Sequence, residues 1–284
     1  MAQADAGGLP VPRTAEGRAG LAAIRREPGT ALIAMDFDGT LSPIVADPQA
    51  AYAHPGAAHA LRELSGRAGT LAVITGRPAG EAVELGGLGE VPGLIVLGHY
   101  GGERWQDGEL SSPPPPPGVA AVRARLPGVL AGAGAPEGTR VEDKGRALAV
   151  HTRGAADPQG ALAALAGPLA ELADAAGLVV EPGRLVIELR AAGTDKGSAL
   201  TALAAERGSG AILFAGDDLG DLAAFAAVRA LREAGHPGLT VCSASAEVTE
   251  LAAGADLVVA GPDGVVALLG SLARALAASP RPAR

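Results

Sequence analysis

Short apolar runs alternate with helix-like stretches over much of the chain, and this alternation restricts the folds available to it. The runs are rich in Leu, Ile, Val and Ala and contain few polar residues, which is typical of strands buried on both faces. Such strands joined by helices indicate a Rossmann-like, doubly wound α/β fold with a parallel sheet. We predict strands at 31–36, 71–74, 94–97, 212–215, 239–242 and 256–259, and helices near 56–66, 78–87, 195–207, 219–234, 246–253 and 263–277.

A different pattern interrupts this order. It opens with a proline-rich loop at 106–118 and continues with strand-like runs in RVEDKGRALAVHTR and LVVEPGRLVIELR, which flank a helix near 156–176. Strands paired around Gly-containing turns predict an antiparallel sheet. The predicted organisation is therefore a flexible tail at 1–20, a parallel domain built from 21–103 and 191–284, and an α+β module inserted at 104–190.

Composition excludes several classes of protein. The net charge of −8 argues against a nucleic-acid binder, because such binding depends on Lys and Arg meeting phosphates. The apolar stretches are interrupted well before the roughly 18 residues that a membrane span needs, and the N-terminus shows no secretory signal. A single cysteine, Cys242, fits a reducing compartment. We therefore expect a cytoplasmic protein that binds neither nucleic acid nor membrane.

The first predicted strand ends in two acidic residues. Asp36 and Asp38 lie two positions apart in MDFDGTLSP, and side chains at i and i+2 of a strand point the same way. Two carboxylates brought together at a sheet edge repel each other unless a positive group neutralises them. An Asp-Gly turn by itself is more often structural, so the interpretation depends on what lies near the pair.

Three further motifs have complementary chemistry. Ligands of a parallel α/β sheet bind at the carboxyl ends of its strands, so we expect these motifs to lie near Asp36 and Asp38. Each motif alone is typical of a turn or a helix cap, whereas all of them together, in this order, indicate a functional site. They supply a hydroxyl, an ammonium and an acidic cluster, from Thr75 in TGR, Lys196 at the start of a helix, and Asp217, Asp218 and Asp221 in GDDLGD.

These groups are the ones that phosphoryl transfer through an aspartyl-phosphate requires. A phosphate ester is anionic and repels a carboxylate, so a hard cation must bridge them. Oxygen ligands from Asp36, the backbone carbonyl of Asp38 and Asp217 suit Mg²⁺. Lys196 would neutralise the phosphoryl oxygens, and Thr75 would donate a hydrogen bond to them. Asp38 would protonate the leaving alkoxide and then deprotonate the water that completes hydrolysis.

In these motifs the chain resembles the haloacid dehalogenase superfamily of phosphatases, and more narrowly the trehalose-6-phosphate phosphatases. The narrower resemblance rests on DFDGTLSPIVADP, ITGRP, GHYGGE, VEDKGRALAVHTR, LVIELR and GDDLGD. The resemblance implies that Asp36 is the nucleophile and Asp38 the acid and base. It also implies a Mg²⁺ cofactor, and an inserted C2-type cap that holds the sugar.

The resemblance also implies residues that bind the substrate. In the module they are Glu142, Lys144 and Glu188, and in the parallel domain we add Arg77 and His99, which follow two of the strands. Glu142 and Lys144 alternate on a strand and can face the same side. A solvated ion pair between these two residues is the structural alternative.

The leading hypothesis is a Mg²⁺-dependent phosphatase that releases trehalose from trehalose 6-phosphate, with a functional link to a trehalose-phosphate synthase. The nearest rival performs the same chemistry on another sugar phosphate, such as sucrose phosphate or a mannosyl phosphate, or is a phosphomutase. A third hypothesis is a non-catalytic regulatory subunit. The residues of the module discriminate among sugars, and the intact motifs of the parallel domain argue against the regulatory subunit.

Overall fold

The chain folds into two compact units, and the second is inserted into the first along the sequence. The structure is a computed structural model and describes residues 8–45, 47–183, 185–244 and 249–278. The first unit contains the described residues up to Ser112 and from Asp195 onward, and the second unit is Pro113–Thr194.

Helices and strands alternate over much of the chain. The helices are α1 (Ala15–Arg26), α2 (Ala57–Leu64), α3 (Ala79–Gly86), α4 (Pro117–Gly132), α5 (Pro158–Asp174), α6 (Lys196–Arg207), α7 (Leu222–Glu233), α8 (Thr249–Gly254) and α9 (Gly261–Ala277). The strands are β1 (Ala31–Met35), β2 (Thr70–Ile74), β3 (Leu94–Gly98), β4 (Glu103–Gln106), β5 (Glu109–Ser111), β6 (Arg140–Asp143), β7 (Leu148–His151), β8 (Leu178–Gly183), β9 (Val186–Ala191), β10 (Ala211–Gly216), β11 (Gly238–Ser243) and β12 (Leu257–Val259).

A single large sheet organises the first unit. Its strand order is β12-β11-β10-β1-β2-β3-β4-β5, and neighbouring strands are parallel from β12 to β3. The chain moves outward from β1 to β2 and β3 on one side, and β10 and β11 lie on the other. The direction of winding therefore reverses between β1 and β10, and this reversal leaves a crevice at the carboxyl ends of the two strands.

Both faces of the central parallel strands of this sheet are buried, as the sequence predicted. Along β1, Ile33 and Met35 contribute to an apolar cluster with residues of α1, α2, α3 and α9. The alternate residues Leu32 and Ala34 contribute to a second cluster with residues of α6 and α7. Alternation of side chains along a strand thus supplies both cores, and the doubly wound α/β prediction is confirmed.

The second unit is an antiparallel sheet packed against two helices. Its strand order is β6-β7-β9-β8. Leu126 of α4 and Leu165 and Leu169 of α5 pack with Val150 and Leu189, which point to the same face of the sheet. Alternate residues point to the opposite face, and Glu142 and Glu188 are among them.

The predicted boundaries need three corrections. Residues 104–111 were predicted to belong to the inserted module, but β4 and β5 continue the large sheet from β3. Residues 191–194 group with the second unit. The predicted flexible tail at 1–20 is wrong for its second part, because Leu9 is fully buried and α1 starts at Ala15 with Thr14 as its N-cap. Residues 1–7 and the predicted helical residues 246–248 lie outside the described residues.

The sequence did not predict α4. A proline-rich segment leads into the helix, and Pro127 lies inside it; both features normally argue against a helix. Burial of Val119, Val122 and Leu126 against the sheet holds it. In the part of the chain that the structure describes, we find no helix with the length and apolarity that a bilayer crossing requires.

Candidate active site

Asp36 lies where β1 ends, beside the point at which the winding reverses. Its backbone N–H donates to the carbonyl of Ala215 in β10 (2.8 Å), which continues the parallel ladder by one residue. The Nζ atom of Lys196 lies 2.8 Å from Asp36 Oδ2 and 2.8 Å from Asp221 Oδ1, and all three side chains are buried. Lys196 is the first residue of α6, where a capping box of Asp195 and Ser198 fixes the start of the helix.

Asp221 organises the loop that follows β10. Its Oδ2 atom accepts hydrogen bonds from the backbone N–H groups of Asp217 (2.9 Å) and Asp218 (3.2 Å), while Oδ1 accepts from Lys196. Asp218 in turn accepts from the N–H of Gly220 (2.9 Å) and caps the short turn that precedes α7. Both oxygens of Asp221 are therefore occupied by protein groups, and this residue holds the loop and the lysine in place.

Asp217 lies against the backbone that follows Asp36. Gly39 has φ +70°, and a Cβ atom placed on it would lie 1.9 Å from Asp217 Oδ2. Only glycine tolerates both this conformation and this close approach. The carboxylate of Asp217 therefore lies directly against Gly39, the residue that follows Asp38, as the predicted sharing of one cation by Asp36, the Asp38 carbonyl and Asp217 requires.

The cluster is short of positive charge. Burial raises the pKa of Asp36 well above its ordinary value, and the Lys196 ammonium only partly offsets this. Burial, together with the charges of Asp36 and Asp221, raises the pKa of Asp217 to about 9. Burial alone would lower the pKa of Lys196, but Asp221 and Asp36 raise it well above its ordinary value, so the lysine remains an ammonium. Three buried carboxylates thus share one cationic side chain.

The donor set fits a divalent cation. Carboxylate oxygens of Asp36, Asp217 and Asp221 lie within 4.8 Å of one another and are the one such group among the described residues. Mg²⁺ prefers a few carboxylates together with water and phosphate oxygens. Since both oxygens of Asp221 already accept hydrogen bonds, Asp36 and Asp217 are the better ligands.

Asp38 is held by Arg77 at the end of the neighbouring strand β2. The Nε atom of Arg77 donates to Asp38 Oδ2 (2.8 Å) and Nη2 donates to Asp38 Oδ1 (2.7 Å). The Nη1 atom of Arg77 donates to Glu81, one turn into α3. Arg77, predicted to contact substrate, thus makes a bidentate ion pair with Asp38 in this structure.

Thr75 and His99 lie where β2 and β3 end, and the backbone links them. The N–H of Arg77 donates to Thr75 Oγ1 (3.2 Å), and the carbonyl of Arg77 accepts from the N–H of His99 (2.9 Å). His99 and the following Tyr100 both have positive φ, 48° and 58°, which is strained for residues other than glycine. His99 is buried, with Nε2 3.9 Å from Glu103 Oε2.

Sequence reasoning missed Ser243. This residue ends β11, is fully buried, and its Oγ donates to the carbonyl of Gly39 (2.7 Å). The bond ties the Asp36–Thr40 loop to a strand 204 residues away. No spacing in the sequence could reveal it, because serine is common at the ends of strands and the contact arises only when the sheet forms.

The predicted sugar-binding residues form ion pairs in the second unit. Lys144 Nζ lies 2.7 Å from Glu188 Oε2, and both side chains are largely buried. Glu142 Oε2 lies 2.8 Å from His151 Nε2. The Oε1 atom of Glu188 is buried and has no hydrogen-bond partner among the described residues. Lys144 and Glu142 thus each contact a charged or ionisable side chain of another strand, Glu188 for the lysine and His151 for the glutamate.

The fold of this chain is similar to that of a haloacid dehalogenase-like hydrolase. A haloacid dehalogenase-like hydrolase from Bacteroides thetaiotaomicron has the same fold, with a TM-score of 0.59, 17% identity, and coverage of 84% of this chain and 98% of that one. The C-terminal domain of Candida albicans trehalose-6-phosphate phosphatase superposes with a TM-score of 0.73 at 22% identity, over 93% of this chain and 98% of that domain.

Sequence comparison gives the family. A family model described as trehalose-phosphatase matches residues 34–252, and the chain belongs to that family. The trehalose-phosphate phosphatase of Mycobacterium avium is 38% identical over 207 residues, which is 68% of this chain and 50% of that protein. The chain spans half or less of the length of the curated relatives it matches first.

Proposed function

We propose that this chain is a Mg²⁺-dependent phosphatase that hydrolyses trehalose 6-phosphate to trehalose and phosphate. The observation that carries the proposal is the buried Asp36, which lies beside Lys196 and shares a cluster with Asp217 at the point where the winding of the sheet reverses. Family membership supports the choice of substrate. A trehalose-phosphate synthase would supply that substrate.

The first chemical step uses both aspartates of the opening motif. A carboxylate oxygen of Asp36 attacks phosphorus, and the bond between phosphorus and the sugar oxygen breaks. The electron pair stays on the sugar oxygen, which takes a proton from the Asp38 carboxyl, so trehalose leaves as a neutral alcohol. The Lys196 ammonium stabilises the charge on the phosphoryl oxygens, and Thr75 donates a hydrogen bond to them.

The second step regenerates the enzyme. The Asp38 carboxylate takes a proton from water, and the water oxygen attacks the phosphorus of the aspartyl-phosphate. The bond from phosphorus to Asp36 breaks, phosphate leaves, and Asp36 is again a carboxylate. Asp221 maintains the position of Lys196 through both steps, because its contacts lie within the protein.

Asp36, the backbone carbonyl of Asp38 and Asp217 would hold the Mg²⁺. The bound cation supplies charge that lets an anionic nucleophile approach an anionic phosphate. Without it, three carboxylates face one ammonium in a buried site, and a phosphate would add further negative charge.

The second unit would act as the cap that selects the sugar. Glu142, Lys144 and Glu188 gather charged and hydrogen-bonding groups on the sheet face opposite α4 and α5. A disaccharide presents many hydroxyls. The Oε1 atom of Glu188, which has no hydrogen-bond partner among the described residues, is suited to accept a hydrogen bond from one of them. His99 remains a candidate for a further substrate contact.

A panel of sugar phosphates tests the substrate. We expect phosphate release from trehalose 6-phosphate to exceed release from glucose 6-phosphate, sucrose phosphate and mannose 6-phosphate, and to depend on Mg²⁺. Equal rates on all four substrates would leave the chemistry in place and refute the substrate. A chain that releases no phosphate from any of them would be the regulatory subunit considered above.

A further inference from the structure

The side chain of Arg77 is held in place by contacts on several sides of its guanidinium group. Its side chain is buried, and each of its three guanidinium nitrogens donates to a carboxylate, two of them to Asp38 and the third to Glu81. The guanidinium carbon lies 5.8 Å from the centre of the Phe37 ring. These contacts fix the guanidinium on three sides.

Asp38 has the opposite environment. Its side chain is 42% exposed, whereas that of Arg77 is 9% exposed. A bidentate pair occupies one lone pair on each carboxylate oxygen and leaves the outward lone pairs open. Arg77 thus binds Asp38 from the buried side. The outward lone pairs of the carboxyl group remain accessible to a proton donor or acceptor.

Glu81 completes the arrangement from α3. It lies four residues after Arg77 and pairs with the guanidinium nitrogen that Asp38 does not use for its bidentate contact. Asp38 and Glu81 both raise the pKa of Arg77 despite its burial, so the guanidinium stays charged between them.

We propose that Arg77, held by Glu81, is a positioning residue that sets the direction of the Asp38 carboxyl group, and that it is not a phosphate ligand. The proposal rests on the proposed function, because it gives Asp38 a proton to transfer. A guanidinium whose three nitrogens all face carboxylates is poorly placed to grip a phosphate. The same contacts are what a general acid needs, since proton transfer depends on its direction toward the leaving oxygen.

Leaving groups differ in how much they need the proton of Asp38. A sugar alkoxide needs the proton from Asp38 as the phosphorus–oxygen bond breaks. A p-nitrophenolate is stable without that proton. Misdirecting Asp38 therefore harms hydrolysis of a sugar phosphate more than hydrolysis of p-nitrophenyl phosphate, whereas losing a phosphate ligand harms both equally.

The experiment measures kcat/KM on trehalose 6-phosphate and on p-nitrophenyl phosphate at saturating Mg²⁺. Arg77→Lys keeps the charge and removes the bidentate fork. We expect its loss on the sugar phosphate to exceed its loss on the aryl phosphate by about tenfold or more. In an Asp38→Asn background, Arg77→Lys should change neither value, because a residue that acts through Asp38 has nothing left to position.

A matched control is available in the same unit. Arg104 makes the same kind of paired contact with Glu206, at 2.8 and 3.0 Å, on the surface. Arg104→Lys should leave both substrates unaffected. Glu81→Gln, at a partly exposed position, should shift the ratio between substrates in the same direction as Arg77→Lys but less.

Two results would overturn the proposal. One is an equal loss on both substrates in Arg77→Lys that persists in the Asp38→Asn background, which is the behaviour of a phosphate ligand. The other is an equal loss on both substrates with a lowered melting temperature, which is the behaviour of a structural ion pair. The wild-type rate on trehalose 6-phosphate tests the proposed function separately. If the wild type prefers another sugar phosphate, that ester replaces trehalose 6-phosphate, and its loss of kcat/KM is again compared with the loss on p-nitrophenyl phosphate.

Discussion

Two buried acidic sites in the first unit, one around Asp256 and the other around Asp36, have opposite electrostatics. Asp256, which lies between α8 and β12, is 2% exposed and is fully supplied with donors. It accepts hydrogen bonds from the backbone N–H (2.7 Å) and the hydroxyl (2.8 Å) of Thr240, from the hydroxyl of Thr14 and from Arg232. Burial would raise the pKa of Asp256, but these donors lower it below its ordinary value.

The site around Asp36 shows the reverse. Asp36, Asp217 and Asp221 share the Lys196 ammonium, and burial raises the pKa of all three. A carboxylate with a lowered pKa adds to the stability of the fold at neutral pH, and one with a raised pKa reduces it. Asp256 therefore stabilises the fold, whereas the cluster lacks the positive charge that would keep all of its carboxylates ionised, and a bound cation would supply it.

We expect the largest effect on activity from a change at Asp36. Asp36→Asn removes the proposed nucleophile, so turnover of trehalose 6-phosphate should fall by more than about a thousandfold. The same change removes one of three crowded carboxylates, so the melting temperature without Mg²⁺ should stay the same or rise. Phosphate release and thermal melting of the same preparations check both statements. Undiminished turnover would contradict the role of Asp36.

Asp256→Ala should show the opposite behaviour. Removing this carboxylate leaves Arg232 and Thr240 with unsatisfied donors, so the free energy of unfolding should fall by about 3 kcal/mol. Activity per folded molecule should be unchanged, because Asp256 does not contact the proposed site. Urea unfolding and kcat measured on the same sample provide the test. A stability like that of the wild type would contradict the structural role.

The dependence of stability on pH should also differ. Asp217 has a pKa of about 9 in the folded chain against an ordinary value of 3.8. Between these values the folded state binds more protons than the unfolded state, so the metal-free protein should become less stable as pH rises. For Asp256 the folded pKa is lowered, so its contribution is lost as pH falls below the ordinary range. Melting curves in EDTA from pH 5 to 9 measure the first trend, and Asp217→Asn should flatten it.

Mg²⁺ should counteract the loss of stability that the metal-free protein shows at high pH. A cation that binds only the folded state stabilises it by about 2.7 kcal/mol at a hundred times its dissociation constant. Because the cation competes with protons for Asp217, we expect a larger rise in melting temperature at pH 8 than at pH 6. Ca²⁺ and NaCl at matched ionic strength are the controls. The same rise at both pH values would argue that the cation binds elsewhere.

Ser243→Ala should give the smallest effect. It removes one hydrogen bond to the Gly39 carbonyl, which is worth about 1 kcal/mol. We expect a severalfold lower kcat with little change in melting temperature, because the bond supports the loop between Asp38 and Thr40. Thr201→Ala, which removes a hydrogen bond from a helix surface, is the matched control and should leave kcat unchanged. Equal effects of the two changes would show that Ser243 has no special role.

The sequence predicted candidate site residues best where polar or charged side chains directly follow a buried strand or begin a helix. The aspartates after β1 and β10, Thr75 after β2 and Lys196 at the start of α6 are found from spacing alone, because the parallel sheet brings these ends together. What the sequence could not supply depends on the folded backbone. Strands β4 and β5 lie in a segment with a proline-rich end, and their pairing with β3 depends on tertiary contacts.

The contacts between distant residues were equally hidden. Asp221 was visible in its motif, but its role as an acceptor for two backbone N–H groups depends on the turn that it closes. The pairing of Arg77 with Asp38 joins residues 39 positions apart, and no spacing in the sequence indicates it. The left-handed backbone at His99 and Tyr100 is not encoded by glycine, so no composition rule indicates it.

In the proposed function, the buried cluster performs phosphoryl transfer with Mg²⁺ and the second unit selects the sugar. The most direct test measures phosphate release from trehalose 6-phosphate and glucose 6-phosphate, with Mg²⁺ and with EDTA. We predict rapid release from trehalose 6-phosphate that EDTA abolishes and that far exceeds release from glucose 6-phosphate. Release that is insensitive to EDTA, or equal for the two sugars, would contradict this account.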